Sequence, residues 1–144
     1  MISIDTNILL YALNADAPAH HAARAFLEAR TDDDACVVSE LVLVELYVLL
    51  RNPSVVAHPL GAKEAAGVVH GFRTHPRWQL VDHAPEVMDE VWKVATRPGF
   101  ARTRIFDARL AMSLRRHGVT ELATRNVKDF AGFGFRRVFD PLST

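Results

Sequence analysis

Four acidic side chains stand where ordinary solvated surface does not account for them: Asp5, Glu45, Asp107 and Asp129. Asp5 follows Ile2-Ser3-Ile4, a short buried strand by its pattern, and is followed in turn by Thr6 and Asn7. In open α/β sheets ligands bind outside the carboxyl ends of strands, where strand order reverses, so an acid there is well placed for a cation. Taken alone, such an Asp is more simply the N-cap of a helix beginning near Ile8. Glu45 has Leu41, Val42, Val48 and Leu49 at its helical neighbour positions, so its carboxylate is expected to emerge from a buried face. An unpaired charge there costs several kcal/mol or becomes protonated. An arginine such as Arg104, or a metal ion, would compensate it, and the residue alone does not choose between them.

Asp107 repeats the pattern, heading a stripe of Leu110, Ala111 and Leu114. The helix macrodipole favours an acid in the first turn by ~0.3–1 kcal/mol. That effect does not explain why the acid points along the apolar stripe. Asp129 lies with Asn126 in the polar run that follows a strand ending at Thr124, where either residue could be a turn or cap. The combination says more than its members. Strand ends and the heads of apolar helical faces meet at one edge of a doubly wound sheet. Carboxylates gathered there raise one another's pKa unless a divalent cation holds them ionised. Oxygen-only ligands select Mg²⁺ or Mn²⁺ over zinc, and such ions suit phosphodiester hydrolysis.

The elements that must position these acids can be read along the chain. Strands are expected at 2–4, 36–38, 78–82, 122–124 and 137–139. Helices are expected at 8–13, from Pro18 to about Arg30, from 40 to about 51 with Ser39 as N-cap, at 61–73, from Pro85 to about Arg97, and at 104–117. Gly118 closes the last of these and Asn52-Pro53 stops the third. Strands alternating with helices mean a parallel sheet covered on both faces. No repeat, low-complexity tract or long linker divides the chain, so one α/β domain over residues 1–144 is expected.

Composition sets the class. At 49% hydrophobic and 24% charged the chain can bury a core without staples, and its single cysteine, Cys36, rules out an internal disulfide. The longest apolar run, residues 41–50, is interrupted by Glu45 and is too short to span a bilayer. No signal-peptide pattern opens the chain, so a cytoplasmic location with no membrane partner is expected. Net charge is zero, yet it is unevenly spread: −6 over residues 1–50 and +5 over residues 97–116. The second segment holds six arginines, whose planar forks match phosphate oxygens, although a coding bias toward arginine explains them equally well. It suggests Arg102 or Arg104 as a holder of an RNA backbone.

These residues, taken as blocks, resemble a known family. Ile4-Asp5-Thr6-Asn7-Ile8-Leu9, then Val44-Glu45-Leu46 with Leu50-Arg51-Asn52-Pro53, then Phe106-Asp107-Ala108, then Thr124-Arg125-Asn126-Val127-Lys128-Asp129-Phe130, look like the ordered blocks of PIN-domain nucleases. The length and opening look most like the VapC toxins of type II toxin–antitoxin pairs. The resemblance implies a three-layer α/β/α domain with a five-stranded parallel sheet in the order 3-2-1-4-5. It also implies an endoribonuclease that needs Mg²⁺ or Mn²⁺, forms a homodimer and is inhibited by a VapB-type antitoxin. Asp5 and Asp107 match the family's principal metal ligands, and Glu45 and Asp129 match the other two acids. Thr6, Asn7 and Thr124 match polar residues that orient the acids or the scissile phosphate, and Arg104 and Asn126 are added to this orienting set. Many members carry an acid where this chain has Asn126. Whether Asn126 or Asp129 completes the site, and so whether one ion or two are held, is left open.

Other chemistries lack their signatures. No glycine-rich phosphate loop follows the first strand, and the seven histidines are scattered. Cys36 is expected to be a buried small hydrophobe, and Trp78 and Trp92 to belong to the core. Two alternatives are kept: a catalytically weak PIN domain that binds RNA or protein, and a signalling domain phosphorylated on Asp5.

Overall fold

The computed structural model describes residues 1–143, and among these five short parallel strands form one sheet in the order β3-β2-β1-β4-β5. The strands are β1 (Ile2–Ile4), β2 (Cys36–Ser39), β3 (Gln79–Val81), β4 (Glu121–Ala123) and β5 (Arg137–Phe139). Their burial follows their place. Central β1 and β2 are buried throughout, whereas edge strands β3 and β5 are partly open. Central parallel strands lie between two helical layers, which is why β1 and β2 read as nearly continuous apolar runs. The one polar residue inside β1, Ser3, is fully buried and donates from Oγ to the Val37 carbonyl at 2.7 Å, so its hydroxyl carries no unmet cost.

Six helices connect the strands among the described residues. Helices α1 (Thr6–Leu13) and α2 (His20–Glu28) lead from β1 to β2, and α3 (Glu40–Leu50) and α4 (Ala62–Arg73) from β2 to β3. Helices α5 (Val87–Ala95) and α6 (Arg104–Arg116) return across the sheet to β4, and a 3₁₀ turn (Val127–Phe130) precedes β5. Right-handed crossovers put α1–α4 on one face and α5–α6 on the other. The packing agrees, since α1 lies on α2 and α3, α3 on α4, and α5 on α6. The point where the chain reverses direction across the sheet falls between β1 and β4.

The expected elements are all present, with shifted ends. Helix α1 begins at Thr6 rather than Ile8 because the Asp5 side chain caps it. Helix α2 begins at His20, since Pro18 and Ala19 form a turn closed by the His20 N–H on the Ala17 carbonyl. Ser39 caps α3 as expected, accepting from the Leu41 N–H at 3.2 Å. Cys36 and Trp78 are buried in the core. Trp92 is not; it stands 58% exposed on the outer side of α5, because Val87, Val91 and Val94 take the buried stripe of that helix. No helix is long and apolar enough to cross a membrane among the described residues.

Gly118 ends α6 in the left-handed region at φ +82°, turning the chain from the helix that carries Asp107 into β4. A Cβ at that position would also stand 3.1 Å from the Met1 methyl. Gly118→Ala is therefore expected to destabilise the fold by about 1–2 kcal/mol, read as a lower urea midpoint at unchanged m-value. An unchanged midpoint would mean that the helix end does not depend on this geometry.

Candidate active site

The carboxyl ends of β1 and β4 open into a cleft of about 350 Å³, walled by α3 on one side and α6 on the other. Asp5, Glu45, Asp107 and Asn126 all line it. Each arrives from a different element: a strand end, two helices on opposite faces of the sheet, and the loop after β4. Gathering them needs the whole fold.

Asp5 is the best-held member. It is 6% exposed, and both carboxylate oxygens have donors. The Thr6 N–H reaches Oδ1 at 2.8 Å, and the Thr124 hydroxyl reaches Oδ2 at 2.6 Å. Thr124 is itself fixed, since its Oγ1 accepts from the Asn126 N–H at 3.0 Å. Both readings of Asp5 thus hold together: it caps α1 and it lines the cleft. Thr6 serves two acids, because its hydroxyl also donates to Glu45 Oε2 at 3.0 Å. Asn7 ties the two strand-end loops, accepting from the Arg125 N–H at 3.4 Å.

Glu45 departs from expectation. Helix α3 buries Val42, Leu43, Leu46 and Leu50, while Val44, Glu45 and Val48 face outward. Of its apolar neighbours Val42 is in the core and Leu41 and Leu49 pack against it, but Glu45 itself is exposed and lines the open cleft, so its carboxylate sits at a solvated rim. No arginine pairs with it among the described residues. Asp107 behaves as expected. It is half-buried at the head of α6, above the buried Leu110, Ala111 and Leu114.

Asn126 and Asp129 divide what the sequence left undivided. Asn126 lies in the cleft, whereas Asp129 sits exposed on the 3₁₀ turn, outside the cleft lining, and its charge raises the pKa of both Asp5 and Asp107. Arg104 has a structural occupation: its guanidinium donates to the carbonyls of Asp129 and Ala131 at 3.0 and 3.3 Å and lies over Phe100 and Phe133. It clamps the turn that bears Asp129. Two further residues of the cleft, Phe106 and Arg109, were given no site role by the sequence. The usable signal was their i,i+3 spacing around Asp107, which puts both on one helical face.

The four acids have no Lys, Arg or His ion-pair partner among the described residues. Burial pushes the Asp5 pKa up; its hydrogen bonds from Thr124 and Thr6 oppose this, and Glu45 and Asp129 add to it. Burial likewise raises Asp107 from 3.8 to about 6, helped by Asp129, Asp5 and Glu45 and opposed by Arg104. As the side chains stand, no three His, Cys, Asp or Glu residues among the described ones already form a metal-holding group. On donor chemistry the set fits a hard dication: oxygen ligands only, with negative charge in excess of the one arginine, Arg109, that lines the cleft.

A carboxyl raised in the folded state binds more protons there than in the unfolded chain, so stability falls as pH rises between the two values. For Asp107 that window runs from 3.8 to about 6. Asp107→Asn is therefore expected to raise the melting temperature in EDTA at neutral pH, with the gain shrinking as pH falls from about 6 and gone below about 4. A lower melting temperature at neutral pH would refute the electrostatic strain.

Comparison with known proteins identifies the family. The PIN domain family model matches residues 2–135. Ribonuclease VapC24 of Mycobacterium tuberculosis is 57% identical over 144 residues, spanning 100% of this chain and 99% of that protein. Among solved structures, Mycobacterium tuberculosis VapC20, a sarcin–ricin loop cleaving toxin, superposes with a TM-score of 0.71 at 20% identity, over 94% of this chain and 96% of its own. VapBC2 from Rickettsia felis, bound to a DNA fragment from its promoter, superposes at 0.60 and 19% identity, over 97% and 98%. A family model spanning almost the whole chain, a full-length relative and a shared fold agree: the chain belongs to the PIN-domain family, in its VapC branch.

Proposed function

We propose that this protein is a Mg²⁺- or Mn²⁺-dependent endoribonuclease and the toxin half of a toxin–antitoxin pair. One observation carries the chemistry: three carboxylates, Asp5, Glu45 and Asp107, line one cleft, Asp129 lies close enough to raise the pKa of two of them, and none of the four has a basic side chain as ion-pair partner among the described residues. Folding has gathered negative charge at a cost that a dication would remove. The full-length likeness to a protein named a ribonuclease supports RNA as the substrate. Superposition on toxin–antitoxin complexes supports an antitoxin partner. A homodimer and a cytoplasmic location are proposed on the same family grounds.

Asp5 and Asp107 would hold the ion, with Glu45 reaching in from the rim and Asp129 adding charge from outside the cleft lining. When bound, such an ion generates a nucleophile from water and neutralises charge on the leaving oxygen. The chain's own residues supply the preorganisation. Thr124 and the Thr6 N–H fix the Asp5 carboxylate, Thr6 steadies Glu45, and Arg104 holds the turn that bears Asp129.

RNA cleavage is expected to require Mg²⁺ or Mn²⁺, to stop in EDTA, and to be lost in Asp5→Asn and Asp107→Asn with circular dichroism unchanged. Undiminished cleavage by either purified variant would overturn the mechanism. RNA binding without any metal-dependent cleavage would favour the non-catalytic PIN reading instead. Thr124→Val tests the preorganisation, because it leaves a buried Asp5 oxygen without its donor. Metal affinity by calorimetry and cleavage rate should both fall ~10–100-fold, and Thr124→Ser should recover most of each. Equal affinity in wild type and Thr124→Val would show that Asp5 needs no such support.

A further inference from the structure

Two side chains of the cleft have no task in the chemistry above. Phe106 stands 67% exposed, immediately before Asp107 on α6, although a ring so placed gains nothing from folding. Arg109 lies one turn on and lines the same cleft, yet makes no hydrogen bond or ion pair among the described residues. Its Nε is buried and has no partner. A guanidinium unpaired beside uncompensated carboxylates is available to a ligand's anionic oxygens. Positions i and i+3 are neighbours on a helix, so ring and guanidinium share the face that meets α3 across the cleft. There Val44, itself 61% exposed, offers a second apolar surface, and the Asn126 side chain has no hydrogen bond among the described residues.

A polynucleotide repeats a phosphate and a flat base at each step. Arginine's fork matches phosphate oxygens, and an exposed aromatic ring stacks any base whose face is free. Resting on the ribonuclease reading, we propose that Arg109 and Phe106 form a nucleotide subsite beside the scissile position: Arg109 holds the neighbouring backbone phosphate and Phe106 stacks that nucleotide's base. The substrate is then an unstacked single strand, because bases inside an A-form duplex offer no free face. Arg104 spends one guanidinium nitrogen on the carbonyls of Asp129 and Ala131 and does not line the cleft, so the proposal gives the phosphate to Arg109.

The test is fluorescence anisotropy with a short labelled single-stranded RNA of mixed sequence, full-length protein, and Ca²⁺ replacing Mg²⁺ to slow turnover. Phe106→Ala should weaken binding by roughly ten- to a hundredfold, with Phe106→Trp restoring it and an RNA duplex insensitive to either change. Arg109→Ala should lower the slope of log affinity against log salt by about 1, and Arg109→Lys should keep most of it. In Mg²⁺ both alanine variants should raise KM for cleavage more than they lower kcat. Wild-type affinity, salt slope and KM in both variants would overturn the subsite while leaving metal-dependent cleavage intact. A wild-type protein that neither binds nor cuts RNA with metal present would remove both. If Phe106→Ala spares RNA binding but changes self-association in light scattering, the ring belongs to a protein contact and the proposal fails.

Discussion

Repulsion among carboxylates at the junction of β1 and β4 is the constraint that the rest of this molecule has to withstand. Asp5 is almost fully removed from water and Asp107 is half removed, and both feel Glu45 and Asp129. A protein under no functional pressure would relieve such strain with an arginine, and arginines are plentiful along α6 and before it. The fold instead directs them elsewhere: Arg104 to backbone carbonyls, Arg115 to the Val119 carbonyl, Arg109 to an unpaired place in the cleft. None of these arginines closes an ion pair with the acids, although Arg104 lowers the Asp107 pKa and Arg109 lines the same cleft, and the surrounding structure supports the charge that is left.

That support begins at the Thr124–Asp5 hydrogen bond of 2.6 Å, which joins the ends of two adjacent central strands. Parallel pairing of Ser3 with Leu122 and Ile4 with Ala123 sets the register that makes the contact possible. A one-residue slip would move Thr124 to the wrong level and turn alternate side chains to the wrong face. The buried hydroxyl of Ser3, bonded to β2, helps hold that register from the other side. The cleft geometry is thus anchored in two central strands, while Glu45 and Asn126 occupy the open rim.

Helix α3 carries a less obvious lesson. Its sequence is apolar on nearly every face, so periodicity could not say which stripe is buried. Packing against α1, α4 and the sheet takes Val42, Leu43, Leu46 and Leu50. Val44 and Val48 are left in water beside Glu45.

The chain's local patterns specified a great deal. The five strands, the helices between them, the Ser39 cap and the Gly118 terminus are set by neighbours within a few residues, and so they were legible. Asp5 and Asp107 were legible too, because a strand end and the head of an apolar stripe are local signals. What the sequence could not assign depends on which distant surfaces meet. Whether Glu45 faces the core or a cleft is decided by α1 and α4 packing on α3. Whether Arg104 pairs with an acid or clamps a turn is decided by where residues 129–131 come to rest. The division between Asn126 in the cleft and Asp129 outside its lining comes from a 3₁₀ turn placed against α6. Sequence spacing carries periodicity along one element, whereas a site built from four elements exists only once the sheet order has brought their ends together.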